Sequence, residues 1–301
     1  MISGITTTCF AASYAVAFLL ELARLLLRHA ARRVLTLGFA TAGLVAQTLY
    51  LGYRAYVAPP AAPLSSAFDW FMLAAWALVI VYLYLTLFHP AVSYGIFILP
   101  LALALIGAAQ FANPEPFPQS PAAQIWVTIH LTFWLLGAVA VIVGFVAGLM
   151  YLLQAWRLKH KLPPARGLRL PSLEWLERIG GRAIVLSVLM AGIGTLSGIV
   201  LNLILHRYQR DQLPWTDPIV WQSGCMFVWF LATALFNALY KPARQGRKVA
   251  YLTIANFVFL AIFLTLQLVA SSQHNPRTRV TASTLSAWEK MGTGTSQIIC
   301  F

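Results

Sequence analysis

Long apolar stretches recur along this 301-residue chain and constrain its fold more than any other feature. A helix needs about 20 mainly apolar residues to cross the hydrocarbon core of a bilayer. Backbone groups in lipid must be hydrogen-bonded within the segment, and these stretches lack the apolar–polar alternation of barrel strands, so each is predicted to be helical. The predicted spans are residues 6–27, 34–56, 67–88, 91–111, 124–154, 179–205, 217–240 and 249–271.

Composition excludes an ordinary soluble protein. Hydrophobic residues make up 60% of the chain and charged residues only 10%, whereas soluble domains are about 25% charged. The chain is therefore predicted to be an all-α, polytopic integral membrane protein with about eight transmembrane helices. No basic residue precedes the first stretch, which predicts a retained span rather than a cleaved signal peptide. The cysteines form no CxxCH motif, so the chain is not itself a c-type cytochrome.

Loop charge predicts the orientation of the chain. The net charge is +13, and 15 of the 21 Lys and Arg residues fall in the connections after spans 1, 5 and 7. The positive-inside rule places these connections in the cytoplasm and both termini outside. No basic face with interleaved aromatic residues accompanies the charge, so a nucleic-acid partner is not expected. Two motifs of small residues, Gly144-x-x-x-Gly148 and Gly194-x-x-x-Gly198, are interpreted as helix-packing features without a catalytic role.

Three of the six histidines fall on the predicted outer side. His130 lies about 8 Å inside the start of span 5, at 1.5 Å per residue, His206 closes span 6, and His274 follows span 8. The outer connection between spans 6 and 7 is aromatic and contains Tyr208, Pro214, Trp215, Asp217, Pro218 and Trp221.

Two interpretations of these outer residues stay open from spacing alone. Neutral imidazoles are good axial ligands for haem iron, and tryptophans can stack on the porphyrin. The alternative is an interfacial aromatic belt with histidines that reach the headgroup region. A zinc site is less favoured, because no carboxylate or cysteine lies at ligand spacing from the histidines. Asp69, near the outer start of span 3, is interpreted as an interfacial residue or helix partner rather than a proton relay.

Several segments, in order, resemble the CcsA/ResC family of cytochrome c assembly membrane proteins. The helix from Trp126 through His130 to Gln154 is similar to that family's histidine-bearing helix, and Leu173–Arg178 is similar to its link into the next span. Residues 215–221, WTDPIVW, resemble a degenerate form of its tryptophan-rich periplasmic signature. The basic turn at residues 240–251 and His274 fall where the family has such a turn and a second outer histidine, and residues 63–69 resemble its PLSNxYE segment.

This resemblance implies a haem-handling subunit. Together with a CcsB/ResB-like partner, such a protein would hold haem b at the outer face of the bacterial inner membrane for covalent attachment to apocytochrome c. His130 and His274 match the family's axial ligands of the haem iron, and Trp215, Asp217, Pro218 and Trp221 match parts of the loop that cradles it. His206 is kept as a candidate substitute ligand. Whether the chain forms part of a cytochrome c synthase enzyme is left open.

Departures from the family pattern keep a second hypothesis open. Ile219 and Val220 replace a Lys-Glu pair of the signature, and the family's two membrane histidines are replaced, near Ala61–Ala62 and Phe236–Asn237. These losses favour the HemX/YpjD-like branch, in which the chain would regulate or scaffold haem biosynthesis without ligation. An unrelated transporter is the third hypothesis.

The predicted domains are an N-terminal four-helix part (1–123), an assembly core (124–274) with the outer loop at 206–221, and an outer tail (275–301).

Overall fold

A computed structural model describes residues 6–24, 30–57, 64, 66–114, 124–161, 168–207, 218–239 and 247–269. Within these ranges the chain forms eight α-helices and no β-strand, which confirms the predicted all-α class. The helices are α1 (Thr7–Ala23), α2 (Ala30–Val57), α3 (Ala67–Phe88), α4 (Gly95–Ala109), α5 (Gln124–Lys159), α6 (Leu173–Arg207), α7 (Pro218–Leu239) and α8 (Arg247–Val269).

Six of these helices are long and apolar enough to cross a membrane: α2, α3, α5, α6, α7 and α8. The described parts of α1 and α4 are shorter, with 17 and 15 residues. At 1.5 Å per residue they reach about 25 and 22 Å, less than the roughly 30 Å of a hydrocarbon core. The chain is therefore a multi-pass membrane protein, and the predicted total of eight crossings with both termini outside stays a prediction.

The ends of several helices differ from the predicted spans. The segment Leu173–Arg178, interpreted from the sequence as a link, forms the first turns of α6. Ser172 caps this helix by accepting a hydrogen bond from the Trp175 amide at 3.3 Å. Likewise α5 continues to Lys159, five residues beyond the predicted span. Hydropathy misses both extensions because charged residues can continue a helix after it leaves the apolar core.

The helices pack mainly with their neighbours in two groups, α1–α4 and α5–α8, with α3 also touching α5. Whether residue 123 divides the chain into domains as the sequence suggested stays a prediction.

In the first group, polar side chains join helices through buried hydrogen bonds. Tyr14 of α1 donates to Gln47 Oε1 of α2 at 2.7 Å, and Gln47 donates to the Met72 carbonyl of α3 at 3.0 Å.

The predicted role of Asp69 as a helix partner is confirmed. Its carboxylate accepts a hydrogen bond from Arg54 Nε of α2 at 2.6 Å, and Ser66 forms a capping box with it at the start of α3. The guanidinium also lies over the Phe68 ring, 4.8 Å from its centroid. Asp69 is 4% exposed, so this ion pair ties the first turn of α3 to the last turns of α2 inside the protein.

The second group carries the candidate site, and α5 runs antiparallel to both α6 and α8 in a consistent register. Gly137 of α5 lies against Ala191 of α6, and Gly144 lies against both Ala183 of α6 and Thr253 of α8. One end of the group therefore gathers the C-terminus of α5 and the N-termini of α6 and α8. Six basic residues of these helices lie toward that end: Arg157, Lys159, Arg178, Arg182, Arg247 and Lys248. His130 lies toward the opposite end.

Candidate functional site

The candidate site is a ladder of three steps between α5 and α6. On α5, Trp126, His130 and Trp134 recur every four residues and so lie on one face of the helix. On α6, Gly194 and Gly198 have the same spacing and face α5. A Cβ added to Gly194 would lie 2.8 Å from Trp134, and one added to Gly198 would lie 2.7 Å from His130. The rings of Trp134 and His130 thus fill the space that side chains at Gly194 and Gly198 would take.

The His130 ring is fixed by a hydrogen bond to the backbone of α6. Its Nδ1 lies 2.7 Å from the Gly194 carbonyl oxygen, and Ser197 Oγ donates to the same oxygen at 2.8 Å. A carbonyl only accepts, so Nδ1 must carry the proton in this bond. In the neutral imidazole the lone pair then belongs to Nε2. The arrangement matches the common one in metal-ligating histidines, where the second ring nitrogen donates to a backbone carbonyl or carboxylate.

Trp134 lies one turn further into the membrane and connects the site to α8. Its ring stacks on Phe263 of α8, with centroids 6.1 Å apart and planes inclined by 10°. Its indole Nε1 is buried against Gly194 and has no hydrogen-bond partner among the described residues. Trp134 therefore packs as an apolar ring on the membrane side of His130. Its stack with Phe263 fixes the register of α8 relative to the histidine.

Both glycine motifs act in packing, as predicted. Gly144 and Gly148 of α5 face Thr253 of α8, and a Cβ on Gly148 would collide with the Thr253 hydroxyl and the Ala250 carbonyl. The second motif has a further role that sequence interpretation missed, because it forms the seat of His130. Gly198 leaves room for the imidazole ring, and the Gly194 carbonyl accepts its hydrogen bond. The sequence shows that helices can approach at such a motif, but it does not show which partner residue fills the gap.

Asn202 is a further residue that sequence analysis missed. It follows Gly198 by one turn, and the register of α5 against α6 puts it at the level of Trp126 along the helix axis, on the outer side of His130. Asn202 is 7% exposed, and neither its amide oxygen nor its amide nitrogen has a hydrogen-bond partner among the described residues. An asparagine inside an apolar span is costly, and that cost was the signal that could have identified it.

The remaining predicted site residues are described only in part. His274, Trp215 and Asp217 lie outside the described residues. The side chains of His206 and Pro218 are likewise outside the description, although both residues belong to helices, at the end of α6 and the start of α7. Trp221, in the first turn of α7, is 66% exposed. The described ends of α6, α7 and α8 thus lie on the His130 side, and the side chains of both candidate second ligands fall outside the description.

The other described histidines lie elsewhere. His89 is exposed in the turn after α3, with its ring 6.0 Å from that of Trp175. His160, just after the far end of α5, has its Nδ1 2.9 Å from the Trp156 carbonyl oxygen. Among the described residues, no group of three or more His, Cys, Asp or Glu side chains could hold a metal ion.

The fold and this site define a multi-pass, all-helical membrane protein with a histidine held at one end of a helix group. Among the described residues, Nε2 of this histidine has no hydrogen-bond partner. The family of cytochrome c assembly proteins matches residues 64–272, more than two thirds of the sequence. The chain belongs to this family. Membership supports a role in cytochrome c biogenesis, in agreement with the resemblance drawn from the sequence.

Two curated relatives agree with this assignment. The chain is 22% identical over 240 residues to the cytochrome c biogenesis protein CcsA of Parasynechococcus marenigrum (strain WH8102), covering 71% of this chain and 77% of the relative. It is 22% identical over 249 residues to the CcsA protein of Guillardia theta, covering 76% and 80%. No solved structure matches the chain significantly.

Proposed function

We propose that this protein holds haem b at the outer face of the bacterial inner membrane and presents it for covalent attachment to apocytochrome c, together with a CcsB/ResB-like partner. The observation that carries the proposal is the seat of His130. The 2.7 Å bond from Nδ1 to the Gly194 carbonyl leaves the Nε2 lone pair for haem iron. Family membership supplies the haem-handling context, and haem is the substrate here rather than a resident cofactor.

His274 is the proposed second axial ligand, and chain length allows it to reach the site. Phe263 of α8 stacks on Trp134, so Gln267, one turn later, is level with His130 along the helix axis. The helix ends at Val269. Five further residues lead to His274, a reach of up to about 17 Å for an extended chain. His206 is the alternative ligand, about 12 Å beyond Gly198 along α6.

The mechanism follows from position. Thioether formation adds the S–H of each cysteine of a CxxCH motif across a vinyl group of haem, so no oxidant is consumed. His130 fixes the iron, and Trp134 beneath it closes the approach from the membrane side. Trp215, Asp217, Pro218 and Trp221 are proposed to flank the porphyrin from the outer side. The protein contributes orientation, which converts an encounter between two large molecules into a positioned reaction.

The second candidate is a HemX-like role in regulating or scaffolding haem biosynthesis. It is favoured by the absence of histidine near Phe236–Asn237 and at Ala61–Ala62. The first function requires the chain to bind haem, whereas a regulatory or scaffolding role does not. The two functions also make different predictions about partners. They differ in whether the chain associates with a CcsB/ResB-like protein and contacts apocytochrome c, which co-purification with each partner can distinguish.

Absorption spectra of the detergent-purified full chain test the proposal. The wild type is compared with His130→Ala and His274→Ala, and His160→Ala is the matched control. His160 also has Nδ1 at a backbone carbonyl, but it lies at the opposite end of α5. We expect the wild type and the control to show the same low-spin, bis-histidine haem spectrum, and both site variants to lose it. Haem binding that is unchanged in His130→Ala would refute the proposal.

A further inference from the structure

We infer that Asn202 is a further contact of the bound substrate and pairs its carboxamide with a carboxyl group on the edge of the porphyrin. The inference rests on the proposed function of the His130 site. It starts from a buried amide whose two polar atoms are unpartnered within the described part of the chain. Such a group costs free energy unless something hydrogen-bonds to it.

The position of Asn202 points to the substrate. Gly194, Ser197 and Asn202 are all buried on α6, whereas Leu196, Ile199 and Leu203 are exposed, so the asparagine lies on the buried side of α6 together with the group that binds His130 Nδ1. Gly198, one turn below it, is in contact with the His130 ring. The rise between them is about 6 Å. A flat macrocycle bound to the iron ligand His130 would bring its edge to the level of Asn202.

The chemistry of a carboxamide selects a carboxyl group. Haem carries two carboxylic acids on two-carbon arms, and the rest of its periphery is apolar. A carboxamide both donates and accepts, so it can donate through Nδ2 to a carboxyl oxygen and accept through Oδ1 from a protonated carboxyl. Both Nδ2 and Oδ1 of Asn202 would then be hydrogen-bonded to the same carboxyl group. A neutral amide is also less costly than a cation to keep buried at this depth.

The test compares haemin with haemin dimethyl ester, which binds iron ligands equally but lacks the acid proton and the charged oxygens. We expect Asn202→Leu to bind haemin about tenfold more weakly than the wild type, the typical factor for one hydrogen bond to a polar group of a ligand. It should lose less affinity for the dimethyl ester, whose carbonyl oxygen can still accept from Nδ2 but which has no proton to donate to Oδ1. Asn202→Ala, which adds no bulk, should show the same pattern.

Stability of the haem-free protein separates a binding role from a structural one. Asn202→Leu should melt no lower than the wild type, because it removes a buried polar group that hydrogen-bonds to none of the described residues. The matched control is Asn256→Leu, since Asn256 is equally buried and accepts a hydrogen bond from Trp229 Nε1 at 3.0 Å. That control should melt lower and leave the ratio of haemin to ester affinity unchanged.

Three results would overturn the inference: unchanged haemin affinity in both Asn202 variants, equal weakening for haemin and its ester, or a loss of haem-free stability like that of Asn256→Leu. Failure of the proposed function has a different signature. If His130→Ala keeps the wild-type haem spectrum, the site itself is wrong. If His130→Ala loses that spectrum while the Asn202 variants match the wild type, only the inference about Asn202 fails.

Discussion

Substitution of Gly198 by alanine tests the seat of His130 directly. The new Cβ would lie 2.7 Å from both Nδ1 and Cε1 of the imidazole, whereas ordinary contact begins at 3.4 Å. The ring must therefore move by about 0.7 Å, the difference between these two distances. Displaced by that amount away from α6, Nδ1 would lie about 3.4 Å from the Gly194 carbonyl instead of 2.7 Å. That separation is beyond the usual range of an N–H···O hydrogen bond.

The expected cost combines overpacking and the lost hydrogen bond. Overpacking a filled interface costs about 1–3 kcal/mol, and the hydrogen bond about 1 kcal/mol, so the free energy of unfolding should fall by about 2–4 kcal/mol. Loss of the carbonyl that orients a ligating histidine typically weakens metal affinity 10–100-fold. We expect haem affinity to fall within that range, with a loss of low-spin character in the spectrum.

The assay is haem titration of purified protein followed by absorption, paired with thermal unfolding in detergent. Gly144→Ala is the matched control, because its Cβ would lie 2.9 Å from Ala183 on the same helix pair, about 21 Å further inward. It should destabilise the fold without changing haem affinity. Gly181→Ala, which meets nothing within 4 Å, should change neither. A wild-type spectrum and affinity in folded Gly198→Ala, or an equal spectral change in Gly144→Ala, would refute the reasoning.

Two further predictions concern the N-terminal helices and are measured by thermal unfolding in detergent. Arg54→Ala leaves the Asp69 carboxylate buried and unpaired, which should cost about 3 kcal/mol, at the low end for buried pairs because the Arg54 side chain is 28% exposed. Arg54→Ala with Asp69→Asn should recover part of that loss, and a double variant less stable than Arg54→Ala would contradict the charge-based explanation. Tyr14→Phe removes the hydrogen-bond donor to Gln47 Oε1 and should lower the free energy of unfolding by about 1–3 kcal/mol. An unchanged melting temperature would show that this buried hydrogen bond contributes nothing to stability.

Hydropathy was sufficient to predict the helices, because lipid leaves a chain no other way to satisfy its backbone. The prediction for α3, residues 67–88, matches the observed bounds, since a capping box and the His89-Pro90 turn mark its two ends. The bounds of α6 were less accurate. Its first turns carry Glu174, Glu177 and Arg178, and an apolar window cannot detect a helix that continues into a polar environment.

The candidate site was predicted only as a set of residues. His130 stood out because an ionisable side chain within an apolar span is costly and therefore functional by default. The ligand pair of His130 and His274 came from the family resemblance and stays a prediction. Asn202 and the role of Gly194 in holding the imidazole were missed, because each depends on which residue of α5 faces which residue of α6.

The sequence by itself determined the all-α membrane architecture, the family and the candidate histidine, since these follow from apolar length, composition and motif order along one chain. Only the tertiary structure decided that Gly198 leaves room for the His130 ring, that the Gly194 carbonyl binds Nδ1, and that Asn202, one turn away, has no hydrogen-bond partner within the described ranges. The reason is physical. A helix fixes the relation between residues three and four apart, but the register between two helices is set by how their side chains interlock.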